Sequence, residues 1–290
     1  MELQLGKLCP FNLDFTLGCG QAFGWDKRGE WWYGVVRENV FKMRQVGNKL
    51  EFENADAVFV KDYFGLHDDL PRILMQITRD KHIEAAVKKF KGLRILRQDP
   101  WECLISYICA TYKNIPAIKQ MLFNLSKKLG NKTVFDGFDF YTFPTPAKLV
   151  EINKKELAEC GLGYRARYIS ETAKMVQENG LILADLRTAS YQKAREELLG
   201  FPGVGLKVAD CVLLFSSGKL EAFPVDVWIK RIIINHYTSH FPTEFVMKIS
   251  SKNSLTKSEY GRLNLFGRNY FGNHAGYAQE YLYHFVRTRC

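Results

Sequence analysis

Phe201-Pro202-Gly203-Val204-Gly205-Leu206-Lys207 is the stretch on which the reading of this chain turns. Tyr191–Leu199 before it has helical character and Gly200 closes that segment, while Lys207–Phe215 after it is helical again. A glycine-rich turn between two helices exposes backbone amides at a helix N-terminus, where they can grip an anion without reading sequence. The spacing excludes two other phosphate loops. Gly200-x-x-Gly203-x-Gly205 has the wrong order for a dinucleotide fingerprint, and no strand precedes it. Gly200 and Gly205 are spaced as in a triphosphate loop, but Leu206 intervenes before Lys207 and Val208 stands where a magnesium-binding Ser or Thr is required. Lys207 then has two readings, a lysine that pairs with a phosphate or a nucleophile on a nucleic-acid clamp. A helix N-terminus disfavours a charged ammonium, which suits the second.

Pro224-Val225-Asp226 stops an apolar segment and Val227–Tyr237 reads as a helix, so Asp226 is a natural N-cap. A carboxylate there either caps and nothing more, or also faces the positive charge that develops on a sugar as its base departs. The local pattern leaves both open.

Working outward, 41 basic against 31 acidic residues give the chain a net charge of +10, which favours a polyanionic partner although it also serves solubility. Residues 1–98 hold 16 basic and 13 acidic side chains, leaving 25 and 18 to residues 99–290, so a polyanion site belongs to the second part. No apolar run approaches a membrane span and Met1–Pro10 lacks a signal peptide's apolar core, which predicts an intracellular protein, cytoplasmic or at the nucleoid. The seven cysteines (9, 19, 103, 109, 160, 211 and 290) are scattered with no Cys-x-x-Cys pair. That supports neither zinc nor an iron–sulfur cluster, and all but Cys211 are expected to be buried small hydrophobes.

Residues 1–65 read as β structure. Trp31–Val36 is aromatic and β-branched, Val40–Val46 alternates, and Gly47-Asn48 separates that strand from Lys49–Glu53 as a hairpin turn would. From Asp99-Pro100 the punctuation is helical, with an amphipathic run through Tyr107. Asn114, Thr145-Pro146, Asn153 and Ser190 read as starts, Gly130, Gly161, Gly180 and Gly200 as stops, and Thr256–Glu259 as a capping box. The expectation is an α+β chain: an antiparallel sheet domain over 1–98, then an all-helical domain over 99–290 with the glycine hairpin at about 191–216.

The run Leu199–Cys211 followed by Pro224-Val225-Asp226-Val227 resembles the helix–hairpin–helix DNA glycosylase superfamily, and more narrowly its 8-oxoguanine DNA glycosylase/lyases of prokaryotic type. Gly20-Gln21-Ala22-Phe23-Gly24-Trp25, Gln98–Cys103, Gly161–Tyr168 and Ala275–Gln279 carry the resemblance across most of the chain. It implies a TBP-like N-terminal sheet domain before the helical glycosylase fold. It also implies that Lys207 attacks the anomeric carbon as a nucleophile and forms a Schiff base, and that Asp226 supports the cationic sugar. Gly20 would offer its carbonyl to the N7 hydrogen that separates oxidised guanine from guanine. Gln279 and Tyr283, four apart on the last helix, would read and stack on the flipped base, with Cys211 closing its other face. Relatives usually carry phenylalanine at the Tyr283 position. Tyr164 and Arg165 would enter the gap left in the duplex, and Gly203, Val204, Gly205 and Trp228 would contact the backbone. The partner implied is double-stranded DNA containing oxidised guanine, bound by a monomer. No cofactor is required, although the hairpin carbonyls of Leu199, Phe201 and Val204 suit a monovalent cation.

Two positions depart from the human-type pattern. Its Asn-Asn-Asn-Ile-Ala-Arg run, which contacts the opposite cytosine, is Tyr112-Lys113-Asn114-Ile115-Pro116-Ala117 here. Losing a bidentate arginine removes about 1–3 kcal/mol of discrimination, which predicts relaxed choice of the opposite base. Trp228 replaces a histidine near the aspartate. Other readings are a non-catalytic helix–hairpin–helix DNA-binding module, and a glycosylase of the same fold acting on another lesion. The missing cysteine cluster and the lysine, respectively, speak against the pyrimidine and alkyl-purine branches.

Overall fold

In a computed structural model that describes residues 1–6, 10–178 and 181–288, the chain begins as a five-stranded antiparallel sheet. Its strands are β1 (Glu2–Gln4), β2 (Trp25–Arg28), β3 (Trp31–Val36), β4 (Asn39–Val46) and β5 (Lys49–Glu53), in the order β1-β5-β4-β3-β2. Three of them have the bounds the alternating sequence predicts, to within a residue, with Gly47 left-handed in the turn between β4 and β5. One face of the sheet buries Trp32, Phe41, Met43, Leu50 and Phe52 against two short helices, α1 (Leu13–Gly18) and α2 (Ala57–Tyr63). These helices correct the all-β expectation for residues 1–65. Their physical signal is capping: Asn12 Oδ1 accepts the Phe15 N–H at 2.8 Å and Asp56 Oδ1 the Phe59 N–H at 2.7 Å.

The helices α3 (Leu70–Ile77) and α4 (Lys81–Lys89) follow. Their buried residues Leu70, Ile73, Ile77, Ile83 and Ala86 belong to the same apolar core as the C-terminal helices, not to the core under the sheet. That larger core is built by α5 (Pro100–Cys109), α6 (Ile115–Leu129), α7 (Pro146–Glu151), α8 (Lys154–Ala158), α9 (Arg165–Glu178), α10 (Leu181–Asp185), α11 (Tyr191–Leu199) and α12 (Leu206–Ser217). The helices α13 (Val227–His236), α14 (Thr243–Ser250), α15 (Lys257–Phe271) and α16 (Ala275–Arg287) complete it. Asp99, Asn114, Thr145, Asn153, Ser190 and Asp226 all cap the helices they were expected to start, and the box formed by Thr256 and Glu259 is closed in both directions. Gly180, Cys9 and Cys290 lie outside the described residues. The other five cysteines are buried and unbridged.

The second part is not wholly helical. β6 (Lys132–Phe135) and β7 (Phe138–Tyr141) form a hairpin whose turn residues Asp136 and Gly137 are both left-handed. An Asp-Gly pair between aromatic residues at alternating positions is the signal for such a turn. The hairpin packs on the outer face of the sheet: Phe140 stacks on Tyr33 with centroids 5.9 Å apart, and Asp136 accepts the Tyr33 hydroxyl at 3.0 Å. Among the described residues no helix is long and apolar enough to cross a membrane.

Candidate active site

The glycine hairpin is held from below. Phe201 and Val204 are buried, the Phe201 N–H donates to Leu198 O at 3.1 Å, and Thr172 Oγ1 on α9 donates to Pro202 O at 3.3 Å. Gly203 is left-handed (φ 78°), and a Cβ there would lie 2.7 Å from the Tyr168 ring, so only glycine fits. Gly205 caps α12 with extended backbone and no side chain over the helix amides, which leaves that N-terminus open to an anion. Val204 behaves differently from the expectation: its N–H donates to Phe201 O at 3.1 Å inside the turn and its side chain faces the core, so it shapes the grip without supplying a free amide.

Lys207 is half-buried in the first turn of α12, its Nζ 5.0 Å from the centroid of the Tyr107 ring. Its charge acts on both Asp226 and Cys211, so the structure brings together the three residues that the sequence left apart. Asp226 Oδ1 accepts the Trp228 and Ile229 N–H groups at 3.0 and 2.8 Å as the N-cap of α13. Burial raises its carboxyl above the usual range, against the pull of those amides and of Lys207. Burial likewise pushes the Cys211 thiol up to about 12, so it offers a neutral, polarisable surface.

Gly20 lies in the turn after α1. Gly20 has φ 100°, and a Cβ on it would meet Arg287 Nη1 at 2.7 Å and Ile115 Cδ1 at 2.9 Å. Arg287 Nη2 donates to Gly18 O at 2.9 Å and its guanidinium lies 5.3 Å from the Tyr283 ring centroid. Gln279 is buried, and its Oε1 has no hydrogen-bond partner among the described residues. An unpaired buried acceptor beside a half-buried aromatic is arranged for a ligand that donates hydrogen bonds and stacks.

Sequence reading missed Glu280. It is buried beside Gln279, it is hydrogen-bonded to the Cys19 thiol, and its Oε1 is also unpartnered among the described residues. Burial foremost, then the Asp226 charge, raises its carboxyl to about 7, while Cys19 and Arg287 oppose the rise. A carboxyl between Ala278 and Tyr281-Leu282 is the one trace it leaves in the sequence of that helix segment.

The expected DNA-facing residues divide. Tyr164 is exposed at 55%. Arg165 is a correction: it is buried, its guanidinium donating to Leu162 O at 3.4 Å and to Thr111 O, with its charge 4.4 Å from the Tyr164 ring centroid. These two loop carbonyls take its Nη1 and Nη2, its buried Nε has no partner among the described residues, and the pair of bonds ties the Tyr164 loop to the segment carrying Tyr112. Tyr112 is left-handed (φ 54°) and 83% exposed. Trp228 is half-buried with the Arg231 guanidinium 5.1 Å from its ring centroid.

Residues 6–104 match the family described as the 8-oxoguanine DNA glycosylase N-terminal domain, and residues 105–253 match that of HhH-GPD superfamily base excision DNA repair proteins. The chain is similar to the N-glycosylase/DNA lyase of Saccharomyces cerevisiae, 35% identical over 325 residues covering 98% of this chain and 84% of that one. It is also similar to the N-glycosylase/DNA lyase of Arabidopsis thaliana, 30% identical over 291 residues covering 94% of this chain and 76% of that one. The Clostridium acetobutylicum 8-oxoguanine glycosylase/lyase, solved with double-stranded DNA containing cytosine opposite 8-oxoG, aligns with a TM-score of 0.85 at 33% identity, over 96% of this chain and 92% of that one.

Proposed function

The chain belongs to the HhH-GPD superfamily of base excision DNA repair proteins, in the N-glycosylase/DNA lyase branch with the 8-oxoguanine glycosylase N-terminal domain, and from that premise we propose that it excises 8-oxoguanine from duplex DNA and nicks the strand. The observation that carries the reading is that Lys207 is close enough for its charge to act on Asp226 and Cys211, and Asp226 close enough to act on Tyr283. The flipped base lies between Cys211 and Tyr283, the Gln279 amide reads its Watson–Crick edge, and the Gly20 carbonyl accepts the N7 hydrogen. The deprotonated Lys207 amine gives its lone pair to the anomeric carbon, and the electrons of the broken glycosidic bond leave with the base, which takes up a proton. Asp226 stabilises the positive charge on the sugar as that bond lengthens. The attached amine opens the ring to an imine, loss of a C2′ proton follows, and the 3′ C–O bond breaks with its electrons on the departing phosphate.

The amides at Gly203 and Gly205 and the α12 N-terminus hold the backbone, with Trp228 packed beside it. Tyr164 fills the gap left by the flipped nucleotide. With Ala117 and Tyr112 in place of the arginine and asparagine of the human-type pattern, the enzyme excises the lesion with little regard to the opposite base. The reading adds a monovalent cation at the hairpin carbonyls of Leu199, Phe201 and Val204 when DNA is bound; three neutral oxygens suit such an ion, and no chemical step passes through it. The protein acts as a monomer on DNA at the nucleoid.

Borohydride reduction on a duplex containing 8-oxoguanine tests the mechanism. The wild-type protein should become covalently linked to DNA and Lys207→Gln should not. Absence of the wild-type adduct would instead favour a DNA-binding module without catalysis.

A further inference from the structure

The two ends of Tyr107 engage different halves of the site. It lies on α5, which packs against α12, and its ring stacks on Phe215 with centroids 5.6 Å apart and planes 13° apart. Lys207 Nζ sits 5.0 Å from the centroid of the same ring. Lys207, Cys211 and Phe215 recur every four residues on α12, so one aromatic plate backs the helix face that carries the nucleophile.

The hydroxyl reaches the other way and donates to Gln21 O at 3.1 Å. That carbonyl also accepts from Gln98 Nε2 at 2.8 Å. The Gln21 side chain is itself fixed: its Nε2 donates to Thr16 O at 2.9 Å and Arg94 O at 2.8 Å, and its Oε1 accepts the Leu96 N–H at 2.8 Å. Gln21 is 1% exposed, and with its side chain and its own carbonyl both held, the residue that directly follows the Gly20 carbonyl is fixed in place.

We infer that Tyr107 is a positioning residue that sets the Gly20 carbonyl with its hydroxyl and the Lys207 amine with its ring, holding lesion reading and nucleophile at one fixed separation. The inference rests on the lesion reading proposed above. A ring face attracts an ammonium and gives a neutral amine a flat surface to lie on, so it confines the flexible lysine stem in either form. Preordering of this kind acts where a small misplacement of the attacking atom costs much of the rate.

Two substitutions separate the two ends. Tyr107→Phe keeps the ring, and because Gln98 still serves the Gln21 carbonyl no buried acceptor is orphaned. Tyr107→Leu removes the ring as well, with Tyr107→Met as the substitute if the leucine variant does not fold. Each is assayed on a duplex with 8-oxoguanine and on one with a preformed abasic site, which needs Lys207 but no base pocket. For Tyr107→Phe, the ratio of kcat/KM for 8-oxoguanine release to that for abasic nicking should fall about two- to tenfold, the worth of one hydrogen bond. Tyr107→Leu should in addition lower borohydride trapping on abasic DNA by about tenfold. An unchanged ratio in the phenylalanine variant overturns the hydroxyl's role, and undiminished trapping in the leucine or methionine variant overturns the ring's. A wild-type protein that traps on abasic DNA but releases no 8-oxoguanine defeats the lesion reading, while trapping on abasic DNA still decides the ring's role.

Discussion

Arg195 on α11, partly exposed, forms an ion pair with Asp210 on α12, Nη2 lying 3.1 Å from Oδ2 and Nε 3.0 Å from Oδ1. Asp210 is fully buried and also accepts from Tyr191 at 2.7 Å, Asn264 at 3.0 Å and the Tyr260 hydroxyl. It stands one turn after Lys207, so the network that locks the two hairpin helices together also fixes the base of the nucleophile's turn. Removing Asp210 leaves the partly exposed Arg195 without its partner and takes the acceptor from Tyr191, Tyr260 and Asn264, a cost of about 1–3 kcal/mol. Asp210→Ala should lower the denaturation midpoint accordingly and reduce abasic-site nicking at temperatures where the variant remains folded. A midpoint like that of the wild type would show that the network does not lock the hairpin.

Asp226 caps α13, and substitution can divide that role from the catalytic one proposed for it. Asparagine caps helices as well as aspartate does, so Asp226→Asn should keep the wild-type melting temperature. It should still lose about 100-fold in the rate of base release, because the charge facing the sugar is gone. Asp226→Ala should lose the cap as well, about 1 kcal/mol of stability. Equal activity in the asparagine variant and the wild type would confine Asp226 to capping.

Opposite-base preference follows from a missing side chain. Excision rates for 8-oxoguanine placed opposite each of the four bases should lie close together in the wild type. Ala117→Arg should favour cytosine by about 1–3 kcal/mol, read as a widened ratio between cytosine and adenine duplexes. A strong cytosine preference in the unmodified protein would contradict the expectation.

Glu280 gives stability a pH dependence of known sign. Its carboxyl keeps a proton in the folded chain up to about 7, whereas the unfolded chain releases it near 4.5. The folded state therefore binds more protons between those values, and stability falls as pH rises from 4.5 through 7 and then levels off. The gap corresponds to about 3 kcal/mol. Glu280→Gln cannot ionise, so its stability relative to the wild type should improve across that window. Urea midpoints at pH 4.5, 6 and 8 measure it, and parallel curves for the two proteins would remove Glu280 as the source.

The local grammar of the chain was largely readable. Asp99-Pro100, Asn114, Thr256 with Glu259, and Asp226 announce helix starts through side chains that reach their own backbone, an effect needing no tertiary context. Lys207, Asp226, Gly20 and Gln279 were named as candidates through the family resemblance of the short runs in which they sit, since local pattern alone left Lys207 and Asp226 open. Tyr107, Glu280 and Arg287 were not, since their partners Gln21, Cys19 and Gly18 are remote in sequence and only folding brings them near. Arg165 shows the converse: the pattern names the residue, while the carbonyls of Leu162 and Thr111 decide which way its guanidinium turns.

The bond from Arg287 to the Gly18 carbonyl joins residues 269 positions apart. Gln279 and Tyr283 lie on the same helix as this brace, α16, whereas the hairpin, Lys207 and Asp226 belong to earlier elements. Local opening of α16 alone would therefore withdraw both side chains and loosen the Gly20 turn in one step, while leaving Lys207 and Asp226 where they are.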